Sequence, residues 1–219
     1  VKTICTEQGT TEWLQARDGC ITASAIGKVL QRPDTKGYKA FMLDIVLALE
    51  GAPLFAPEPG DAGYPRHFDE AKLYEDDARC WYQFHRGIEV EQTGLVAHDD
   101  HDWLRCSPDG LIGDDGLIEI KYRLRLKTYK AAIGAKMPTR DFNQIQCQLL
   151  VTGRTWCDYV NYWRDRDNDE WEKGNIRRVG RDSARIAYIE DRANDFWKKA
   201  WRLLKERSSS NGKIPVDVY

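Results

Sequence analysis

The chain has no window approaching 18 uninterrupted apolar residues, so no membrane-spanning helix is expected. Its first residues, Val1-Lys2-Thr3-Ile4-Cys5, show no apolar stretch of the kind a secretory signal needs. Internal repeats and low-complexity tracts are missing as well. The six cysteines (Cys5, Cys20, Cys80, Cys106, Cys147 and Cys157) include no C-x-x-C pair. That spacing argues against a disulfide framework or a zinc ribbon and for reduced thiols in a cytoplasmic protein. Charge of one sign is not in excess either. Thirty-three Lys and Arg face 35 Asp and Glu, a net charge of −2, which excludes a uniformly basic coat while leaving room for a local basic groove. Of the four histidines, His98 and His101 lie three apart among aspartates and read as solvated rather than as metal ligands.

What is present suffices for one folded domain over residues 1–219. Apolar residues make up 42% and charged residues 31%, with eight Trp and ten Tyr, which excludes a disordered chain. Thr10-Thr11-Glu12-Trp13-Leu14 reads as an N-cap opening a short helix that carries Arg17 and stops at Gly19. Ser24 offers a second cap before a helix over Ala25–Leu30. Phe41, Ile45 and Leu49 with Met42 and Val46 predict a helix over Tyr38–Glu50. Ala52–Pro65, with four prolines, reads as a surface loop. A strong helix is expected from about Phe68 to Phe84, with Glu75 on the same stripe as Ala71, Ala78 and Tyr82. A carboxylate there is costly unless a cation sits beside it. Ile88–His98 and Trp103–Ser107 read as strands.

The tight turn Gly113-Asp114-Asp115-Gly116 leads into the most informative segment. On a strand, Ile118, Ile120 and Tyr122 share one face, read as core, and Leu117, Glu119 and Lys121 the other. If strand geometry continues, Arg123, Arg125 and Lys127 extend the cationic file. Downstream, Thr139 or Asp141 caps a helix to about Val151, with Phe142, Ile145 and Leu149 toward the core and Gln146 beside them. Trp156–Trp163 alternates as a strand, and Arg164–Gly174 is a charged loop. Ser183–Glu190 reads as a strand, Asp191–Arg207 as a final helix, and the tail from Ser208 as loose to at least Asn211. Helices before and after a group of strands indicate α/β layering.

Ser107-Pro108-Asp109 precedes the hairpin and Glu119-Ile120-Lys121 follows it. A hairpin of this length lays the two segments side by side, so Asp109 and Glu119 can face one another as a hard divalent cation requires. Oxygen donors favour Mg²⁺ or Mn²⁺ over zinc. Lys121, on the face of Glu119, can reach a water or phosphate there. Singly, Asp109-Gly110 is also a plain turn and Glu119-x-Lys121 a plain exposed strand face; the combination with Glu75 carries the chemical reading.

These residues resemble the PD-(D/E)xK nuclease signature, and more closely the phage lambda exonuclease (YqaJ-type viral recombinase) family. The resemblance runs through Trp13-Leu14-Gln15-Ala16-Arg17, Ile21-Thr22-Ala23-Ser24 and Tyr74-Glu75-Asp76-Asp77-Ala78-Arg79. It continues through Cys106-Ser107-Pro108-Asp109-Gly110-Leu111 and Gly116-Leu117-Ile118-Glu119-Ile120-Lys121 to Gln144-Ile145-Gln146 and Val151-Thr152. It implies an α/β nuclease fold with a central mixed sheet flanked by helices. The catalytic core would span about 12–165, with a C-terminal strand and helix over about 166–207. It also implies a Mg²⁺-dependent 5′→3′ exonuclease on linear double-stranded DNA, releasing mononucleotides and leaving a 3′ tail for recombination by annealing. A homotrimeric ring, a phage single-strand annealing protein as partner, and phage or prophage coding in a bacterial host cytoplasm follow from the same resemblance.

It assigns Asp109, Glu119 and the Ile120 carbonyl to the metals, Lys121 to the attacking water, and Glu75 to completing the site. Arg17, Ser24, Ser107 and Gln146 would hold the 5′-phosphate. Phe68, Arg32, Arg123, Arg125, Lys127 and Lys130 would lie along the DNA path, Phe68 as a wedge. Plainer roles stand beside these: a surface cation for Arg17, an N-cap for Ser24, a core-edge amide for Gln146, an i+4 pair with Arg79 for Glu75, a first-turn core residue for Phe68. Ala71 replaces a glycine frequent in such nucleases, and the Arg32-Pro33-Asp34 loop lacks a second arginine, leaving Arg32 or Lys36 to substitute. An endonuclease or RecB-like module, and a non-enzymatic DNA-end-binding protein, are the alternative readings.

Overall fold

The computed structural model describes residues 2–5, 7–52, 67–165 and 172–209; the side chains of 67–73 lie outside the described set. Most of the 52–65 loop, the 166–171 segment and the 210–219 tail are likewise outside it. In order, the elements are β1 (Lys2–Cys5), α1 (Thr11–Gln15), β2 (Ile21–Thr22), a 3-10 turn over Ala23–Ala25, α2 (Ile26–Val29), α3 (Lys36–Leu49) and α4 (His67–Arg86). Then come β3 (Leu95–Ala97), β4 (Leu104–Cys106), β5 (Gly110–Ile112), β6 (Gly116–Tyr122), α5 (Leu126–Gly134), α6 (Thr139–Thr152), β7 (Trp156–Arg164), β8 (Glu172–Gly180) and α7 (Ser183–Ser209). The α/β expectation holds, with the strands divided between two four-stranded sheets, β1-β3-β4-β2 and β5-β6-β7-β8. Each is mixed: β2 with β4 and β6 with β7 run parallel, the other pairs antiparallel.

The second sheet is covered on both sides. Ile118, Ile120, Val160 and Tyr162 pack on Ala78, Trp81 and Tyr82 of α4. Leu117, Cys157, Tyr159 and Val179 join the core built with α3, α6 and α7. β6 therefore buries both faces, where the sequence suggested one. A central strand between helical layers is apolar on each side, so a carboxylate on it lies inside the protein. The strand ends at Tyr122, and the cationic file stops with it: Arg125 flanks α5 and Lys127 lies in its first turn.

Local signals account for several boundaries. Thr10 caps α1, its hydroxyl accepting from Trp13 N at 3.1 Å. Thr35 does the same for α3 through Tyr38 N at 3.3 Å. Gly153, at φ 70°, ends α6 in the left-handed conformation that glycine adopts without strain. Neither Thr139 nor Asp141 caps that helix; Asp141 sits in its first turn and accepts from Tyr159 Oη at 2.7 Å.

Further expectations fail, among them the strand over Ile88–His98, which is confined to Leu95–Ala97. Ser24 lies within the 3-10 turn and makes no N-cap bond. The expected strand over 183–190 is the first part of α7, because Ile186, Ile189, Ala193, Phe196, Ala200 and Leu203 continue one helical stripe into the core. Asp182 opens it by accepting from Arg185 N at 2.9 Å. Part of the expected 164–174 loop belongs to β8, a largely polar strand along the length of β7. Among the described residues no helix is long and apolar enough to cross a membrane, and the six cysteines are free thiols.

Gly110 controls how closely β5 approaches its neighbours. A Cβ there would meet Val90 Cγ1 at 2.2 Å, Ile118 Cγ2 at 3.1 Å and the Glu91 carbonyl at 3.3 Å. Gly110→Ala is expected to destabilise the protein by about 1–3 kcal/mol, read as a lower urea midpoint with an unchanged slope.

Candidate active site

The β5–β6 ladder pairs Gly110 with Ile118 and goes no further. Asp109 stands just past that pair, and its carboxylate takes the place of the next strand residue: Oδ2 accepts the Ile120 N–H at 2.6 Å. This brings Asp109 beside Glu119, which is 2% exposed. Glu119 is held from three sides. Lys121 Nζ lies 2.7 Å from Oε1, Gln144 Nε2 donates to Oε1 at 2.8 Å, and Gln148 Nε2 donates to Oε2 at 2.7 Å.

The helix α4 closes the other side. Arg79, 6% exposed, donates to Glu75 Oε1 at 2.9 Å, to Asp76, and to the Asp109 carbonyl at 3.0 Å. Glu75 thus lines the cleft and also makes the i+4 pair with Arg79. A buried guanidinium fits here because its fork satisfies several acceptors at once.

A second cluster adjoins the carboxylates. Trp13 Nε1 donates to Ser107 Oγ at 2.9 Å, and the Arg17 guanidinium lies 4.1 Å over the Trp13 ring. Arg17 Nη2 donates to Ser24 Oγ at 3.3 Å, which in turn lies 3.2 Å from Thr22 Oγ1. Both clusters line one cleft of about 620 Å³, together with Ile120, Gln92 and Thr93. Gln8 braces its rim by donating to the carbonyls of Thr93 and Pro108 at 2.9 and 2.8 Å.

Of the expected site residues, Glu75, Asp109, Glu119, Ile120, Lys121, Arg17, Ser24 and Ser107 are brought together. Gln146 is not. It is wholly buried, donating to the Gly180 carbonyl at 2.9 Å and accepting from Asp182 N at 2.8 Å. Two steps along a helix turn a side chain to the opposite face, so Gln144 and Gln148 point at the cleft and Gln146 at the β8–α7 junction. Arg123 is bonded to Asn161 and to Tyr159 Oη, while Arg125, Lys127 and Lys130 are exposed around α5. Arg32 is exposed and pairs with Asp34 at 3.4 Å, outside the cleft. Phe68 lies outside the described side chains. Trp13, Arg79, Gln144 and Gln148 had no assigned role at the site; the four-residue spacing of the two glutamines was the available signal for them.

Electrostatically the site is strained toward a cation. Burial pushes the Asp109 carboxyl well above its usual range, and the negative charges of Glu119 and Glu75 push it further, against the pull of the Ile120 N–H and Lys121. Burial alone would lower Lys121, but Glu119 beside it raises it overall, so Nζ stays protonated. Burial also lowers Arg17 from its usual value without discharging it. Among the described residues no three Asp, Glu, His or Cys side chains form a ready metal cage. The donors that fit a cation are two carboxylates and the Ile120 carbonyl. Such a partial, all-oxygen set suits a hard divalent cation that keeps several of its waters.

A YqaJ-like viral recombinase domain model matches residues 12–155, which contain both clusters. The chain belongs to the YqaJ-like viral recombinase family. Among solved structures, it resembles the alkaline exonuclease LHK-Exo from Laribacter hongkongensis, with 29% identity and a TM-score of 0.78 over 94% of this chain and 100% of that one. The same exonuclease in complex with dAMP superposes equally well, at a TM-score of 0.78. A phage-related exonuclease from Haemophilus somnus, 13% identical, shares the fold alone, at a TM-score of 0.63 over 85% of this chain and 96% of that one. The fold of this YqaJ-like chain is thereby the PD-(D/E)xK-like one. Uncharacterized protein R354 of Acanthamoeba polyphaga mimivirus is 28% identical over 179 residues, 76% of this chain and 31% of that protein. The chain therefore spans less than a third of that curated relative.

The raised Asp109 carboxyl fixes the sign of a pH effect. The folded chain holds that proton more tightly than the unfolded one. Stability is therefore lost as pH rises from the ordinary value of 3.8 toward the raised one. Asp109→Asn keeps an acceptor for the Ile120 N–H and removes the charge. In chelator-treated protein it is expected to raise the melting temperature near neutral pH, by about 2–4 °C per kcal/mol released, and to change little near pH 4. Thermal melts at both pH values check this; a lower melting temperature at neutral pH would contradict it.

Proposed function

We propose that this chain is a Mg²⁺-dependent 5′→3′ exonuclease acting on linear double-stranded DNA, releasing mononucleotides and leaving a 3′ single-stranded tail for recombination by annealing. The observation that carries the reading is the single cleft in which Asp109, Glu119 and Lys121 adjoin Arg17, Ser24 and Ser107. LHK-Exo, named as an alkaline exonuclease, supports it.

Each side chain then has a task. Arg17, stacked on Trp13 and steered by Ser24, holds the terminal 5′-phosphate, with Ser107 beside it. With the end phosphate anchored, the first phosphodiester lies over the carboxylates, and direction follows from position. Asp109, Glu119 and the Ile120 carbonyl would hold Mg²⁺ or Mn²⁺, which supplies neutralisation of phosphate charge and acidification of water. Lys121, already protonated, orients the attacking water and offsets charge developing on the phosphate instead of taking a proton. Glu75, tied by Arg79, completes the acidic wall. Asp109 would bind the cation only when ionised, so cleavage is expected to rise with pH as that carboxyl loses its proton.

DNA approaches along the stretch from Ile120 to Arg140, which carries seven Lys and Arg and no Asp or Glu. Arg125, Lys127 and Lys130 present that charge at the surface. A homotrimeric ring and a single-strand annealing protein as partner complete the proposal, as does action in the cytoplasm of a phage-infected or prophage-bearing bacterium.

The test is digestion of linear duplex bearing one 5′-phosphate, beside a closed circle, with and without Mg²⁺. Mononucleotides from the phosphorylated strand and an untouched circle are expected; nicking of the circle would indicate an endonuclease, and inertness in excess Mg²⁺ a binding protein. Lys121→Ala and Asp109→Ala are each expected to lower kcat by more than about 10³-fold while DNA binding in chelator persists. Arg17→Ala should abolish the preference for 5′-phosphorylated over 5′-hydroxyl ends; a wild-type ratio of the two rates would remove Arg17 from the phosphate pocket.

A further inference from the structure

Gln148 is wholly buried on α6 and lines the cleft, and only half of its amide is satisfied. Nε2 donates to Glu119 Oε2 at 2.7 Å, and Oε1 is buried with no partner. The amide orientation follows from chemistry: an ionised carboxylate only accepts, so the NH₂ must face Glu119 and the carbonyl must face away. A buried orphan acceptor is costly, and an apolar side chain of the same shape would avoid it. Core packing therefore does not explain a glutamine here.

We infer that Gln148 is a positioning residue for Glu119, holding its second carboxylate oxygen in place for a divalent cation. This rests on the metal-dependent reading above. Glu119 has Lys121 and Gln144 on Oε1, so Gln148 is the contact that fixes its second oxygen. A carboxylate held at both oxygens keeps one orientation toward Asp109. Gln146 is the built-in control: it is equally buried on the same helix, but both its amide groups are bonded to the backbone at Gly180 and Asp182.

The experiment measures Mn²⁺ binding to the metal-free full chain by calorimetry, alongside kcat, KM for DNA and the metal concentration at half-maximal rate. Gln148→Met, which keeps the shape and loses both hydrogen-bonding groups, is expected to weaken Mn²⁺ affinity about tenfold. It should raise the half-maximal metal concentration by the same factor and leave KM for DNA unchanged. Gln146→Met is expected to lower the melting temperature without moving Mn²⁺ affinity. If Gln148→Met does not fold, Gln148→Ser serves with the same expectation. Folded Gln148 variants that bind Mn²⁺ like the wild type would overturn the inference while leaving the nuclease reading intact. A wild-type chain that binds no Mn²⁺ would overturn both.

Discussion

The site depends on one hydrogen bond, from the Ile120 N–H to the Asp109 carboxylate at 2.6 Å. The β5–β6 ladder stops one pair short of it, at Gly110 and Ile118, and a side chain then does what a strand backbone would have done. That substitution turns a carboxylate inward beside the next strand's glutamate. It also explains why glycine follows Asp109, since Val90, Ile118 and the Glu91 carbonyl leave no room for a Cβ there. Two acids in partial burial repel each other, and the fold tolerates this through donors on every side instead of through solvent.

Those donors come from separate parts of the chain. Lys121 is two residues along the same strand and Gln144 and Gln148 come from α6, while Arg79 of α4 holds the backbone carbonyl of Asp109 beside them. Because β6 is covered on both faces, each of these helices is fixed against the sheet by apolar packing before it delivers its polar group. The Trp13 group works likewise. Its indole serves as the hard surface under Arg17 and as the donor to Ser107, so one aromatic side chain places two phosphate-binding candidates. What results is a cleft with an anchored arginine at one end and undercompensated carboxylates at the other, the charge arrangement suited to a phosphate end and a divalent cation.

Much of this was legible in the sequence wherever a short-range rule decides the geometry. Strand alternation puts Glu119 and Lys121 together, hairpin length puts Asp109 opposite, and helical spacing puts Glu75 on the α4 face that meets the sheet. What was not legible depends on packing between distant segments. Gln146 was assigned to the phosphate through the family resemblance, yet the backbone at Gly180 and Asp182 claims it, and Gln144 and Gln148 face the acids. The cations after Lys121 leave the strand because β6 ends at Tyr122, an event that alternation cannot signal. β8 was hidden by its polarity, and the start of α7 by an alternation of Ala and Ile that also fits the longer helical stripe.

The central claim is that Asp109 and Glu119 share a divalent cation. Crystals soaked in Mn²⁺ and measured at the manganese absorption edge test it most directly. The account predicts anomalous density between the two carboxylates, within ligating distance of both and of the Ile120 carbonyl. Manganese bound elsewhere, with that position empty in fully soaked crystals, would contradict it.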